Sequence, residues 1–385
     1  MELSIFYLAA IFLNMKYYII AGEASGDLHG SNLIKELKKL DMHAGIRCWG
    51  GDKMEAAGAT LVKHYRELAF MGFIEVVKNL QTILNNLSLC RKDILQYQPD
   101  ALILIDYPGF NLRMAAWAKQ QGCKVIYYIS PQVWAWKESR VKAIRKYVDK
   151  MLVILPFEKD FYLKWNYPVD YVGHPIVDVI DNYTALPLAN SSNKMVAVLP
   201  GSRRQEIQIK LPVMLKASKN FPAYNFVVAK APGIDNDFYD ELLQPYSNVS
   251  CVSDRTYDLL SCASAALVTS GTATLETALF NVPQIVCYKG SSISYQIAKR
   301  LIKIKYICLV NLIMNRGVVK ELIQDEMNAA NIARELDKVL NDTAAVQQIK
   351  NDYAALKTLL SKGGNASANA AGIIHDFLTS DLTNG

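Results

Sequence analysis

The stretch AALVTSGTATLETALFNVPQIV, residues 265–286, decides how the rest of the chain is read. It opens with an apolar run, 265–268, of the length of a buried strand. The run breaks at Ser270, Gly271 and Thr272 and resumes with helix-forming residues over 273–280. Asn281 and Pro283 end that helix, and 284–287 reads as the next strand. A strand, a tight turn and a helix in succession leave backbone N–H groups without partners at the turn. They also place the positive end of the helix dipole there. Such a turn suits a phosphate. Gly271 lets a ligand approach the backbone, and Ser270 and Thr272 add hydroxyl donors. Glu276 has Ala273 rather than Ser or Thr three residues before it, so no capping box claims it. It is expected to reach outward, for example to ribose hydroxyls beside a diphosphate; the plainer reading is a solvated acid in a first turn.

The same signature recurs upstream. A strand at 195–199 runs into Leu199-Pro-Gly-Ser-Arg-Arg-Gln-Glu206, again a Gly-Ser turn before a helix. Ser202 adds a hydroxyl there, and Arg203 and Arg204 add two-pronged positive charge suited to a diphosphate. Further strands are expected at 226–229, 249–252 and 284–287. The first half repeats the alternation, with strands at 16–23, 44–51, 101–105, 124–129, 151–155 and a short edge strand at 169–172. Strands alternating with helices argue a doubly wound parallel sheet in each half. The polar, proline-containing stretch 181–194 reads as the linker between domains at 15–180 and 195–350, with ligands expected in an interdomain cleft. Residues 351–385 read as C-terminal helices that pack back on the first domain or on a partner chain.

Composition narrows the function. The chain has 385 residues, 51% of them hydrophobic, which is ample for two packed domains. A net charge of +6 fits an anionic substrate or lipid surface. No basic run with interleaved aromatics suggests a nucleic-acid groove. The seven cysteines are scattered without a CxxC pair, as in a reduced, cytosolic protein. Residues 1–14 are apolar but lack the positive start and cleavage site of a signal peptide, and are too short to span a bilayer. They read as an extension ahead of a natural start at Met15, or as a weak interfacial anchor.

Carboxylates at strand ends are the candidates for catalysis. Glu23 and Asp27 follow the first strand, and Asp106 follows the strand at 101–105. A transfer to a hydroxyl group needs one base to take its proton. Asp106 lies at the carboxyl end of its strand, where such bases sit. Asp100 lies at the opposite end, which favours a structural role. Helical spacing over 71–87 places Met71, Phe73, Ile74, Val77 and Leu80 on one face with little charge. That face reads either as core or as an apolar patch for acyl chains or a membrane. Basic residues recur over 137–146 and suit anionic head groups. No paired-histidine spacing suggests a metal, and the acidic pair Asp235 and Asp237 is a weak candidate for one.

The segments AGEASGD (21–27), MGFIEV (71–76), IDYPGFN (105–111), SPQVWAWKESRV (130–141), LPFE (155–158), VGHP (172–175), LPGSR (199–203), SGTATLE (270–276) and AKRL with VNLI (298–301, 310–313) together resemble the lipid-A-disaccharide synthase family. SPQVWAW and AGEASGD are its specific marks; SGTATLE is shared by many enzymes of the two-domain GT-B fold. The resemblance implies a hexosyltransferase that joins UDP-2,3-diacylglucosamine to 2,3-diacylglucosamine 1-phosphate. The products would be a β-1,6 disaccharide and UDP, made without metal or cofactor in the cytoplasm, at the inner membrane's cytoplasmic face. It implies that Ser270, Gly271, Thr272, Ala273, Glu276, Asn311 and Arg203 hold UDP, and that Glu23 and Ser25 sit at the reacting sugars. It also raises Asp100 and Arg203 as important positions, and implies a homodimer through the C-terminal helices. Some members carry a second acid where this chain has Gly109, so the base falls to Asp106 or another group. The rival readings are a UDP-N-acetylglucosamine 2-epimerase and a nucleotide-sugar-binding protein without turnover.

Overall fold

The computed structural model describes residues 14–68, 80–188, 194–290 and 305–383. They form two compact units. The first holds the described residues up to Pro175 and those from Gly363 onward; the second is Ile176–Lys362.

The first unit is built on seven parallel strands among the described residues. They are β1 (Lys16–Ala21), β2 (Gly45–Gly50), β3 (Thr60–His64), β4 (Ala101–Ile105), β5 (Lys124–Tyr128), β6 (Lys150–Val153) and β7 (Asp170–Tyr171), in the order β3-β2-β1-β4-β5-β6-β7. The central strands are covered on both faces, so they are apolar along their length instead of alternating. All five residues of β4 are buried, as are the last five of β1. Helices close the core, with Leu87, Cys90 and Ile94 of Leu80–Tyr97 and Phe110, Met114 and Ala118 of Pro108–Gln120 packed into it.

The second unit repeats the plan with β8 (Met195–Leu199), β9 (Asn225–Lys230), β10 (Val249–Ser253), β11 (Ala265–Val268), β12 (Gln284–Tyr288) and β13 (Lys320–Ile323), in the order β10-β9-β8-β11-β12-β13. In both sheets the chain winds outward in one direction, then returns to the middle and winds the other way. The reversals fall between β1 and β4 and between β8 and β11. At such a point the two neighbouring loops leave in opposite directions and open a crevice at the carboxyl ends of the strands.

The structure differs from the sequence reading in several places. β3 and β13 were not expected from the sequence. Both are edge strands, only partly buried, and carry Lys63, His64, Lys320 and Glu321. Of the basic residues over 137–146, Arg140, Lys142, Arg145 and Lys146 lie on the helix Arg140–Tyr147, which buries Val141 and Ile144, whereas Lys137 caps the turn Val133–Trp136. The last helix, Ala366–Thr383, lies against Ala24–Leu40 of the first unit. Its approach requires glycine. A Cβ on Gly363 would stand 2.7 Å from the Gly173 nitrogen, and Asn369 donates to the Val172 carbonyl at 3.1 Å. The VGHP segment is thus where the chain's end crosses back over the first unit.

The apolar stretch 71–87 lies mostly outside the described residues, including Met71, Phe73, Ile74 and Val77. Leu80 begins the helix Leu80–Tyr97, in which Leu87 is buried and Leu84 is 51% exposed. Among the described residues no helix is long and apolar enough to cross a membrane.

Candidate active site

In the first unit the site is built on the β1–β4 switch point. After β1 the chain turns at Gly22, whose missing side chain is a requirement: a Cβ there would lie 2.4 Å from the Tyr107 ring. Glu23 then caps the helix Ala24–Leu40 with extended backbone, and Ser25 is exposed in its first turn. Asp27 is buried and has another task. It accepts from the Gly51, Met54 and Lys53 amides at 2.8, 3.0 and 3.2 Å, which caps the helix Asp52–Ala56.

Beyond β4, Asp106 and Tyr107 both take left-handed backbone, φ 43° and 48°, and Ile129 beyond β5 does so at 67°. Non-glycine residues in that region cost about 1–3 kcal/mol each, and such strain gathers at functional sites. Neighbouring side chains hold the turn. Asn111 donates to the Ile105 and Asp106 carbonyls at 3.2 and 2.8 Å, and the Tyr127 hydroxyl donates to the Asp106 carbonyl at 2.5 Å. Burial, with the Glu23 carboxylate as a second cause, pushes the Asp106 carboxyl up to about 7. A carboxyl at that value can take a proton near neutral pH.

The aromatic segment SPQVWAW follows β5, the strand next to β4 in the sheet. It forms one helical turn, Val133–Trp136, after β5. Trp134 is buried and donates its indole N–H to Glu158 Oε1 at 3.2 Å, while its ring meets Phe157 edge-on at 5.0 Å. Glu158 Oε2 accepts from the Leu155 amide at 3.0 Å, and burial raises its carboxyl to about 7. Ser130 and Tyr162 share a hydrogen bond of 2.8 Å. The segments SPQVWAW and LPFE are thereby locked to one another.

In the second unit the two glycine turns follow β8 and β11, which are adjacent. Thr269 ties them together: its amide and its hydroxyl both donate to the Leu199 carbonyl at 2.9 Å. Gly201 has φ 121° and Gly271 φ 129°, values that exclude other residues without strain. Among the described residues nothing lies within 4 Å of where a Gly271 Cβ would be, so the backbone there is open to a ligand. Gly271 caps the helix Thr272–Leu279, with Ser270 partly exposed and Thr272 exposed beside it. Ala273 is partly buried and packs on the core. Ser202 is exposed. Arg203 Nη1 lies 3.4 Å from Glu206 Oε1, and the buried Lys210 stands 3.4 Å from Glu206 Oε2. Arg204 turns away, over the Phe238 ring at 4.6 Å and toward Asp235 at 3.7 Å.

A family model described as lipid-A-disaccharide synthetase matches residues 17–374. The chain belongs to that family. A lipid-A-disaccharide synthase of Geobacter metallireducens is 39% identical over 376 residues, covering 95% of this chain and 98% of that one. One from Coxiella burnetii is 36% identical over 377 residues, covering 95% and 100%. Among solved structures, a UDP-GlcNAc 2-epimerase from Neisseria meningitidis bound to UDP-GlcNAc superposes with TM-score 0.66 at 14% identity, covering 95% of this chain and all of that one. The calicheamicin glycosyltransferase CalG4 does so with TM-score 0.61 at 15% identity, covering 95% and 99%. At these identities the structural likeness is one of fold, GT-B, and the epimerase reading has no further support. As a member of the lipid-A-disaccharide synthetase family, the chain is a hexosyltransferase.

Three expected site residues have partners that the sequence alone does not show. Asp100 accepts from the Lys16 amide at 2.7 Å, at the amino ends of β1 and β4. At roughly 3.3 Å per residue it is about 20 Å from Asp106, so the two do not share a reacting centre. Asn311 is buried and its amide is fully used. Its oxygen accepts from the Val318 and Val319 amides at 2.8 and 3.0 Å; its nitrogen donates to the Val319 carbonyl and to Glu321 at 2.9 and 3.0 Å. These bonds tie the helix Leu309–Met314 to Val318, Val319 and Glu321. Glu276 is partly buried: its Oε1 accepts from the Tyr257 hydroxyl at 2.8 Å, and burial raises its carboxyl. Glu158, Tyr107 and Tyr257 were not singled out from the sequence. Glu158 lies within LPFE and Tyr107 within IDYPGFN, whereas Tyr257 carries no local signal.

Proposed function

We propose that the chain is an inverting glycosyltransferase that condenses UDP-2,3-diacylglucosamine with 2,3-diacylglucosamine 1-phosphate. The family match over residues 17–374 carries this reading. Asp106 takes the proton of the acceptor 6-hydroxyl as that oxygen bonds to the anomeric carbon. The bond from that carbon to the UDP oxygen breaks on the opposite face, and the sugar emerges in the β configuration. The raised Asp106 carboxyl supports this role, since a base at about 7 both accepts and returns a proton readily. Glu23 and Ser25 meet the sugars. The second unit takes the nucleotide: amides at Gly271–Ala273, hydroxyls of Ser202, Ser270 and Thr272, and Arg203 receive the diphosphate, and Glu276 the ribose. Charge developing on the leaving β-phosphate is stabilised by these fixed dipoles and by Arg203. Asn311 and Asp100 act through structure. The test is acceptor dependence. UDP release from the donor should rise at least about a hundredfold when the acceptor is added, a gain of the size that positioning both substrates provides; release at the same rate without it contradicts a transferase.

The protein works at the inner-membrane surface from the cytoplasmic side. The apolar sequence over 71–87 and the exposed Lys142, Arg145 and Lys146 support this, since acyl substrates reside in the bilayer and its head groups are anionic. Changing Phe73, Ile74 and Leu80 together to Ser should cut binding to anionic vesicles by about tenfold or more, given roughly 1.5–3 kcal/mol per buried side chain. The circular dichroism spectrum should stay unchanged. A lost fold would instead place these residues in the core.

A further inference from the structure

Glu276 meets a partner from another element. Tyr257 belongs to the helix Thr256–Cys262, which follows β10, and its hydroxyl donates to Glu276 Oε1 at 2.8 Å. The tyrosine ring is itself fixed on two sides. Tyr183 meets it edge-on at 5.2 Å and 89°, and Phe280 packs against it at 5.2 Å. Tyr183 is held in turn: its hydroxyl donates to Asp258 Oδ1 at 2.6 Å. Asp258 also accepts from the Leu186 amide and from Arg255 Nε, each at 2.7 Å. The arrangement is a chain of contacts that ends on one carboxylate oxygen.

We propose that Tyr257 is a positioning residue that sets the Glu276 carboxylate for a ribose hydroxyl. The proposal rests on the reading that Glu276 meets the ribose of UDP. A glutamate has three rotatable side-chain bonds and loses their freedom when it grips a ligand; one fixed in advance loses less. Tyr257 supplies that fixation by engaging Oε1, which leaves Oε2 as the oxygen for a ribose hydroxyl. Burial holds the Tyr257 hydroxyl well above its usual pKa, so it stays a donor across the working range. The same bond favours the charged form of Glu276 against the burial that raises it, and the charged form is the stronger acceptor.

The test is calorimetric, on the full chain, with UDP and 2′,3′-dideoxy-UDP as probes. The native protein should prefer UDP. Tyr257→Phe keeps the ring and removes only the hydroxyl. It should weaken UDP by about tenfold, the scale of one hydrogen bond to a charged group, and leave dideoxy-UDP unchanged. In a Glu276→Ala background, Tyr257→Phe should have no effect on either ligand. If Tyr257→Phe keeps the full preference for UDP while Glu276→Ala loses it, the ribose reading stands and the positioning role fails. Equal weakening of both ligands would assign Tyr257 a merely structural part and overturn the proposal. If Glu276→Ala itself retains the preference, the ribose reading fails and takes the proposal with it.

Discussion

Asp106→Asn should lower kcat by about a hundred- to ten-thousandfold, the range that a positioned base contributes, with UDP affinity unchanged. The same substitution should stabilise the protein. The Asp106 carboxyl is raised from its ordinary 3.8 to about 7. A carboxyl raised in the folded state contributes stability that is fully present below about pH 4 and is lost as pH rises through about 7. Above pH 7 the folded state carries a charge that is enclosed and faces Glu23. Keeping that charge inside the fold costs at most about 4 kcal/mol, and relaxation around the site reduces the cost. Asparagine has nearly the same shape and carries no such charge. At pH 8 its melting temperature should therefore exceed that of the native protein by several degrees, and at pH 4 the gap should close. The native enzyme's kcat/KM should fall as pH drops below about 7, because the base is then protonated. A variant that loses activity and stability together would mark Asp106 as structural. One that keeps its turnover would move the base elsewhere.

Glu276→Ala should weaken UDP by about a hundredfold, because hydrogen bonds to a charged acceptor are worth roughly 1.5–3 kcal/mol and a ribose offers two hydroxyls. The substitution also leaves the Tyr257 hydroxyl without its acceptor. An unsatisfied buried donor costs about 1–3 kcal/mol, so a lower melting temperature is expected as well. Inorganic pyrophosphate separates the two effects. It lacks a ribose and should bind the variant as it binds the native protein. Equal loss for UDP and pyrophosphate would mean that the helix Thr272–Leu279 has shifted, and that Glu276 holds the turn and not the sugar.

The legible parts of the sequence are those where local chemistry and final environment agree. ALILI and MVAVL read as strands because parallel strands at the centre of a sheet are apolar throughout, and both are fully buried. TLVKH and KELI did not, because an edge strand is only half covered and keeps its lysines. The two phosphate-suited turns were visible through Gly201 and Gly271, whose left-handed backbone only glycine adopts at little cost. The left-handed backbone of Asp106 and Tyr107 was invisible, since aspartate adopts it at only a few of its positions and tyrosine seldom does. Asp106 was legible as a strand-end acid, whereas its raised pKa comes from burial in the fold and then from Glu23, more than eighty residues earlier. Glu158 and Tyr257 act on partners 24 and 19 residues away, distances at which sequence spacing has no periodicity to follow. Asn311 shows the converse. Its motif suggested a ligand contact, and only the fold reveals that its amide is occupied.

The identity of the product decides between transfer and its alternatives. The purified chain, UDP-2,3-diacylglucosamine and 2,3-diacylglucosamine 1-phosphate would be incubated with EDTA, and lipid and nucleotide followed by mass spectrometry. Equal amounts of UDP and a tetraacyl disaccharide 1-phosphate are expected, with the new linkage β by NMR. UDP without disaccharide, or a disaccharide with the α linkage, would contradict an inverting transfer between these two lipids.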